Sequence, residues 1–476
     1  MAKLLPFSHR KLRWFYVALL ALLCVSAYDP RRPENSSGDS ISPRYWPVAI
    51  VKYHTWKMNP FREIFAGVGY SAFSVKGDLL PRLGWGLAPF TVPFYQVAEW
   101  FDWGGSEWNP ERVNRVSRWN AILLCTLSVI CMFLISTQFA SLNVSMGSAV
   151  LFALGTWNWS MGAQGLFPQT PTVLAHVLNI WLLWKISVAP KADKAWITAL
   201  TMGALHTLIW ALRPQDILLA APAVLAFRER KSVIAYGSAV LALMIPITWI
   251  SWAVYGSVVG QYGVIEQMSG GSSWHWNAFA GLAGLLFSPN RGAIVFFPLL
   301  LLVPFYWKKL MPSPRMELPY FWRAKKVKVN SLEKIPTSFS QALALSAVIY
   351  FISLCFLVYW HGTWAYGPRY LYNILPYIWP PITLALSDFR NAVTGKKFRL
   401  PRWALALTLI ASLEGVFVHG LGHRNYDPYV WNFFVVPVDD EKSWSYREFM
   451  LTHVWRAGSN LGRYPDALDR LKRYGF

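Results

Sequence analysis

The sequence consists largely of long apolar stretches that are separated by short basic connectors. A helix that crosses the hydrocarbon core of a bilayer needs about 20 mostly apolar residues, with roughly 17 as a lower bound. The stretches that meet or approach this length are 12–28, 83–103, 117–139, 171–188, 196–212, 214–228, 232–255, 291–307, 338–360, 370–388 and 402–420. They predict an all-α integral membrane protein with about eleven transmembrane helices, within a range of about 10–13.

The composition excludes two classes of protein. Only 14% of the residues are charged, against roughly 25% in an ordinary soluble domain, so neither a soluble globular enzyme nor a disordered chain fits. The net charge is +21, but a nucleic-acid-binding protein gathers its basic residues on one polar surface. Here they are dispersed between apolar stretches. The expected partner is therefore the lipid bilayer and not a nucleic acid.

The basic connectors predict the orientation, because short loops rich in Lys and Arg stay on the cytoplasmic side. These runs are His9–Arg13, Lys185–Lys194, Arg228–Lys231, Lys308–Lys334 and Arg390–Arg402. With all of them inside, eleven crossings place the N-terminus in the cytoplasm and the C-terminus outside. The predicted location is the inner (plasma) membrane of the cell.

Two parts of the chain are predicted. Residues 1–420 form a multi-pass transmembrane domain with a long first extracytoplasmic loop at 29–82, and 421–476 form a short extracytoplasmic tail. The apolar segment 143–160 is interpreted as re-entrant, since a full crossing there would break the alternation of sides. The alternative is that 83–103 does not span.

Polar residues collect in the connectors that face outside. Arg291 and Arg369 each lie in a turn with Gly and Pro, at the mouth of an apolar helix. An arginine at such a position is costly unless an anion or a carboxylate pairs with it. A guanidinium holds phosphate through two parallel hydrogen bonds and stays charged, so the two arginines indicate a phosphate-binding site.

Asp39 lies soon after the first predicted helix, in a loop rich in Gly and Ser. A carboxylate facing a phosphate-binding pair suits glycosyl transfer from a phosphate-linked sugar, because it can take the proton from the attacking hydroxyl. An exposed aspartate is more often only a solvated charge, and interfacial arginines commonly extend to lipid headgroups. The residue types alone leave both interpretations open.

Five sequence blocks, in order along 12–440, resemble the bacterial GT-C glycosyltransferases, which are multi-pass enzymes that use polyprenyl-phosphate sugars. The blocks are Ser37-Gly38-Asp39-Ser40 with Arg44-Tyr45-Trp46-Pro47, the Ser/Pro-bearing segment 74–95, Gly155-Thr156-Trp157 with Gln164-Gly165-Leu166, Phe287-Ser288-Pro289-Asn290-Arg291-Gly292, and Tyr366-Gly367-Pro368-Arg369-Tyr370-Leu371. The resemblance implies that Asp39 is the catalytic base and that Arg291, Arg369 and Arg44 bind the donor phosphate.

The sequence departs from the family pattern at two positions. Gln169 stands where a His is expected, and Ser40 stands where many relatives have a second carboxylate. Metal dependence in the family often follows paired acids in such loops. No cofactor is therefore predicted; a divalent cation stays open, but no paired-acid motif supports it. A distant second acid, Asp78 or Asp216, stays open.

Further residues are weaker candidates for the same site. His361 could act as a second base or donate a hydrogen bond to the phosphate. Lys76 could help to bind the phosphate as a mobile point charge. Gln169 is also a candidate, because it follows the Gln164-Gly165-Leu166 block at the position where a His is expected. Asp216 is a candidate too, although its spacing from Arg213 favours an ion pair that ties helix ends together.

The sequence thus predicts a membrane glycosyltransferase that moves a sugar from a polyprenyl-phosphate donor to a hydroxyl of a glycan or glycolipid acceptor on the extracytoplasmic face, in the synthesis of cell-envelope polysaccharide. One alternative is a ligase for lipid-linked saccharides that relies on Arg and His361. Another is a flippase or transporter for such lipids, which would need no base outside the bilayer.

Overall fold

The computed structural model describes residues 7–31, 38–66, 72–82, 85–189, 193–268, 274–275, 277–310, 335–362, 365–395, 401–426, 443–446 and 449–457. Most of the basic run Lys308–Lys334 and most of the tail 421–476 lie outside these ranges. The described chain is almost entirely helical, with one two-stranded antiparallel sheet.

The helices are numbered in chain order. They are α1 (Phe7–Tyr28), α2 (Gly38–Tyr53), α3 (Arg62–Ala66), α4 (Ala88–Trp100), α5 (Pro110–Ser136), α6 (Leu142–Leu154), α7 (Gln169–Val188), α8 (Ala195–Leu212), α9 (Ile217–Ala220), α10 (Arg230–Tyr255), α11 (Gln261–Met268), α12 (Ala278–Phe287), α13 (Ala293–Phe296), α14 (Val303–Leu310), α15 (Thr337–Cys355), α16 (Leu375–Val393), α17 (Arg402–Asn425) and α18 (Met450–Ala457). The strands are β1 (Ala72–Val75) and β2 (Asp78–Pro81).

Seven helices of the described chain are long and apolar enough to cross a membrane, judged by length and composition. They are α1, α5, α7, α8, α10, α15 and α17, and each coincides with one of the predicted crossings. The expectation of an all-α membrane protein is confirmed at this level. The total of eleven crossings stays a prediction.

The other four predicted crossings are shorter or interrupted helices, and proline accounts for much of this. Residues 214–228 form two 3₁₀ turns around α9, and 291–307 divide into α13, a 3₁₀ turn beginning at Pro298, and α14. Proline lacks the N–H that continues an α-helical ladder. In 370–388 the chain begins as 3₁₀ and α16 starts only at Leu375, while 83–103 contains the 13-residue α4.

The segment 143–160 contains α6, which has 13 residues. At 1.5 Å per residue this helix is about 20 Å long, well below the roughly 30 Å of a hydrocarbon core. After α6 the chain passes through a π-helical turn at Asn158–Gly162 and enters α7. Over this segment the chain runs alongside α1, since Asn143 accepts from the hydroxyl of Tyr16 and Nε1 of Trp159 donates to the carbonyl oxygen of Ala27. This path along about 16 Å of α1 favours the alternative in which 83–103 does not span.

The predicted first loop, 29–82, is a folded unit in its described parts. It contains α2, α3 and the β1–β2 hairpin, whose turn residues Lys76 and Gly77 both have positive φ, as a tight hairpin turn requires. Asp39 was placed in a loop by the sequence, but it lies in the first turn of α2. Trp46 of α2 is buried, and α2 packs against α4 and α5. Asp39 is thus held by a packed helix.

The predicted boundary at 420/421 falls inside α17, which continues to Asn425. From the tail, α18 packs against α17 with Met450 and Val454 buried. This part of the tail joins the main hydrophobic core.

Candidate functional site

The centre of the candidate site is an ion pair between Asp39 and Arg369. The Nη1 atom of Arg369 donates to Oδ2 of Asp39. Arg369 precedes α16 and its side chain is 6% exposed, while Asp39 lies in the first turn of α2 and its side chain is 17% exposed. The fold thus brings together the acidic residue and one of the arginines that the sequence selected.

Two more arginines surround this pair. The backbone N–H of Arg82, which directly follows β2, donates to Oγ of Ser42 over 3.1 Å and so ties the hairpin to α2. Arg213 follows α8, and its guanidinium lies 5.7 Å from the ring centre of Tyr370, against which Arg369 also packs at 5.4 Å. One aromatic ring therefore positions two guanidinium groups.

The charges around Asp39 determine its protonation. Burial alone raises the pKa of Asp39, but the positive charges of Arg369, Arg82 and Arg213 outweigh it, so the pKa lies below its ordinary value. Asp39 is consequently an ionised carboxylate at neutral pH, which is the form that accepts a proton.

Asp216 forms a second, fully buried centre beside the first. Its Oδ1 accepts from the hydroxyl of Tyr350 over 2.9 Å, and its Oδ2 accepts from Nδ2 of Asn373 over 2.7 Å. Nε2 of His176 lies 3.7 Å from Oδ2, and Nε of Arg213 lies 4.0 Å from it. These contacts agree with the predicted Arg213–Asp216 pair and make Asp216 an anchor for the surrounding helices.

Arg213 retains hydrogen-bonding capacity although it is buried. Its side chain is 9% exposed, and its Nη1 atom is buried without a hydrogen-bond partner among the described residues. A buried donor without a partner is costly. The charge of the same side chain contributes to the lowered pKa of Asp39, so its Nη1 atom is a candidate donor to an anionic ligand at this site.

Arg291 is buried on the other side of the Arg369 turn. Its Nη1 donates to the carbonyl oxygen of Ala365, and its backbone N–H donates to Oγ of Ser288 over 3.1 Å. The turn itself depends on Gly367, whose φ of +66° is a conformation that side chains disfavour. Arg291 thus supports the segment that presents Arg369.

The neighbouring Asn290 and Ser288 bind the tail. Nδ2 of Asn290 donates to the carbonyl oxygen of Ser445, its Oδ1 accepts from the backbone N–H of Met450 over 2.7 Å, and the hydroxyl of Ser288 donates to the carbonyl oxygen of Ser443. The fourth sequence block therefore has a clear structural role.

The remaining predicted residues lie in separate settings. Nη1 of Arg44 donates to Oδ1 of Asn114 on α5 over 2.6 Å. Lys76 is exposed in the hairpin turn. Gln169 is the buried first residue of α7, and its Oε1 has no partner within the described chain. His361 is buried, with its ring edge-on to that of Trp360.

Sequence reasoning did not select Arg82, and for Arg213 it favoured a structural ion pair with Asp216. The signal for Arg213 was present, since it is a cation directly at the end of an apolar helix. Arg82 follows a short strand whose pairing the sequence did not reveal. Among the described residues, no group of three or more His, Cys, Asp or Glu side chains could hold a metal ion.

Arginines outnumber acids at the site, because the charges of Arg82, Arg213 and Arg369 act on Asp39 and that of Arg213 also acts on Asp216. Such a site can bind a phosphate group and offer it forked N–H donors. It also holds an ionised carboxylate that can accept a proton next to the bound anion.

No protein-family model matches the sequence, and no curated protein matches it. Among solved structures, the fold is similar to the archaeal oligosaccharyltransferase AglB from Archaeoglobus fulgidus in complex with an inhibitory peptide and a dolichol-phosphate, with 12% identity, a TM-score of 0.42 and 92% of this chain covered. It is also similar to the apo form of the oligosaccharyltransferase from Archaeoglobus fulgidus, with 13% identity, a TM-score of 0.41 and 90% covered. This chain spans 59% of the length of each of those chains.

Proposed function

We propose that this protein is an integral membrane glycosyltransferase that moves a sugar from a polyprenyl-phosphate donor to a hydroxyl of a glycan or glycolipid. The observation that carries the proposal is the Asp39–Arg369 pair with Arg82 and Arg213 around it. The protein would lie in the inner membrane, with this site on the extracytoplasmic face. The proposal includes no cofactor.

The arginines would bind the donor phosphate. Arg369 and Arg213 lie against one ring, so their guanidinium groups are fixed before the donor arrives. The unpartnered Nη1 of Arg213 would donate to a phosphate oxygen, and Arg82 would add positive charge. Preorganised cations stabilise the charge that develops on a departing phosphate. Arg291 would act indirectly, by holding the Arg369 turn through Ala365.

Asp39 would act as the base. The acceptor oxygen attacks the anomeric carbon of the donor sugar, the carbon–oxygen bond to phosphate breaks, and polyprenyl phosphate leaves with the bonding electrons. The acceptor proton passes to a carboxylate oxygen of Asp39. A positioned base of this kind contributes about 10²–10⁴-fold to the rate.

The ion pair implies an exchange of partners when the donor binds. In the described state Arg369 neutralises Asp39. A donor phosphate that takes over Arg369 would remove the main influence that lowers the pKa of Asp39, because a nearby cation favours the charged form of a carboxyl group. Asp39 would then be a stronger base in the donor complex than in the free protein.

A deletion strain tests the function. Mass spectrometry of its lipid extract should show accumulation of one polyprenyl-phosphate sugar, together with loss of that sugar from an envelope glycan. Wild-type protein should reverse both changes, and the Asp39→Asn variant should reverse neither. An unchanged lipid profile would contradict the proposal. Accumulation confined to the inner leaflet, reversed equally by Asp39→Asn, would identify a flippase instead.

A further inference from the structure

An apolar groove lies between α6, α16 and α17, at the end of α16 opposite to Arg369. It has a volume of about 420 Å³, which is within the size range of small-molecule sites. Its apolar walls are Val144, Val150, Leu151, Leu386, Leu413 and Val416. From the start of α16 at Leu375 to Arg390 the helix rises about 22 Å, so the groove is separate from the candidate active site.

The wall of the groove includes one glycine, which faces open space. A Cβ added at Gly147 on α6 would meet nothing within 4 Å, and Gly147 lines the groove. The groove runs along α6 from Asn143 to Leu151, which corresponds to about 12 Å of helix. A slot with this shape accepts a narrow, flexible apolar chain.

One end of the groove is positively charged. Arg390, in the last turns of α16, lines it and donates from Nη1 to Oγ of Ser141 over 2.5 Å. Asn143, also in the lining, accepts from the hydroxyl of Tyr16 on α1 over 2.9 Å, and Arg13 stands one helical turn before Tyr16. In the sequence, the run that begins at Arg390 continues with four more basic residues, Lys396, Lys397, Arg399 and Arg402, and no acidic ones.

We propose that this groove binds an anionic phospholipid from the adjacent leaflet. One acyl chain lies along the apolar walls, and Arg390 binds the phosphate. An apolar slot on a helix bundle of this type faces lipid tails, and basic residues at the membrane surface attract anionic headgroups. A guanidinium matches phosphate geometry better than an ammonium does. The complementary charge selects phosphatidylglycerol over phosphatidylcholine.

Native mass spectrometry of the full chain, delipidated in detergent and titrated with phosphatidylglycerol or phosphatidylcholine, tests the proposal. We expect one retained phosphatidylglycerol per protein and at least about tenfold weaker binding of phosphatidylcholine. Arg390→Gln should weaken phosphatidylglycerol binding about tenfold and phosphatidylcholine binding much less, so that the selectivity is lost. Gly147→Leu should fill the slot and abolish retention of both lipids.

Lys231→Gln is the matched control, because it removes an exposed cation that packs on Trp196, away from the groove. It should bind phosphatidylglycerol as the wild type does. Equal retention of the two lipids by the wild type, or wild-type selectivity in Arg390→Gln, would overturn the proposal. Arg390 is exposed, so this variant decides the question even if Gly147→Leu fails to fold.

Discussion

Arg213 and Arg369 lie against the same aromatic ring, with their guanidinium carbons 5.7 and 5.4 Å from the ring centre of Tyr370. The two arginines are far apart in the sequence, and each is next to an acid, Asp216 and Asp39 respectively. Two like charges held this close are stable only with such counter-charges. Nη1 of Arg213 has no hydrogen-bond partner among the described residues, so this arginine can donate to an anion bound beside the pair.

The first prediction concerns these two arginines. Arg369→Lys and Arg213→Lys keep the charge but lose the forked donor geometry, so each should weaken the binding of polyprenyl phosphate about tenfold. The measurement is binding of the lipid phosphate to protein in nanodiscs. Arg62→Lys is the control, since Arg62 is exposed and donates to the carbonyl oxygen of Gly77. Wild-type affinity in both site variants would remove these residues from the phosphate site.

The second prediction concerns the buried carboxylate of Asp216. Tyr350→Phe removes the hydroxyl that donates to Oδ1 and should lower the free energy of unfolding by about 1–3 kcal/mol. Thermal unfolding in detergent measures the change. Tyr359→Phe, at a half-exposed position, should have almost no effect. Equal stability of the two variants would show that Asp216 does not anchor the helices.

The sequence predicted the helices well where an apolar run was uninterrupted. Helices α5, α7 and α10 follow directly from such runs, because a continuous apolar segment of this length has one stable arrangement in a bilayer. The prediction of a continuous crossing was weaker at 214–228 and 291–307, where prolines break the ladder and neighbouring helices complete the packing. The folded unit at 29–82 was not visible, since its strands have only four residues each.

The sequence predicted which residue types belong to the candidate site, but not which of those residues pair with each other. Asp39 and Arg369 were both selected as residue types that suit a phosphate-linked sugar. Their ion pair joins positions 330 residues apart, and no local pattern encodes such a contact. Arg82 was missed because its position depends on the register of the β1–β2 hairpin and on its bond to Ser42.

The third prediction concerns pH. Arg369, Arg82 and Arg213 together lower the pKa of Asp39 against the opposing effect of burial. A lowered pKa in the folded state stabilises the fold above the unfolded value of about 3.9, and this contribution disappears as the pH falls through the folded-state pKa. Wild type should therefore be more stable than Asp39→Asn at pH 7, with the difference shrinking below about pH 4. Thermal unfolding across pH 3–8 measures it, and a difference that grows on acidification would contradict the ion pair.

The fourth prediction concerns the orientation. The distribution of basic connectors places the Lys308–Lys334 run inside and the end of α17 outside. A reporter fused after Lys326 should therefore be cytoplasmic, and one fused after Tyr426 extracytoplasmic. If both fusions report the same side, the site would not face outward as proposed.

The central claim is that Asp39 accepts the proton of the acceptor, and its most direct test is single-turnover transfer by Asp39→Asn protein with saturating polyprenyl-phosphate sugar. Asparagine keeps the size but cannot take the proton, and it frees Arg369 for the phosphate. We expect donor affinity at least equal to wild type and transfer slower by at least about a hundredfold. The control Asp78→Asn, which breaks a partly exposed pair with Lys57, should transfer at nearly the wild-type rate. Full transfer activity in Asp39→Asn would contradict the account.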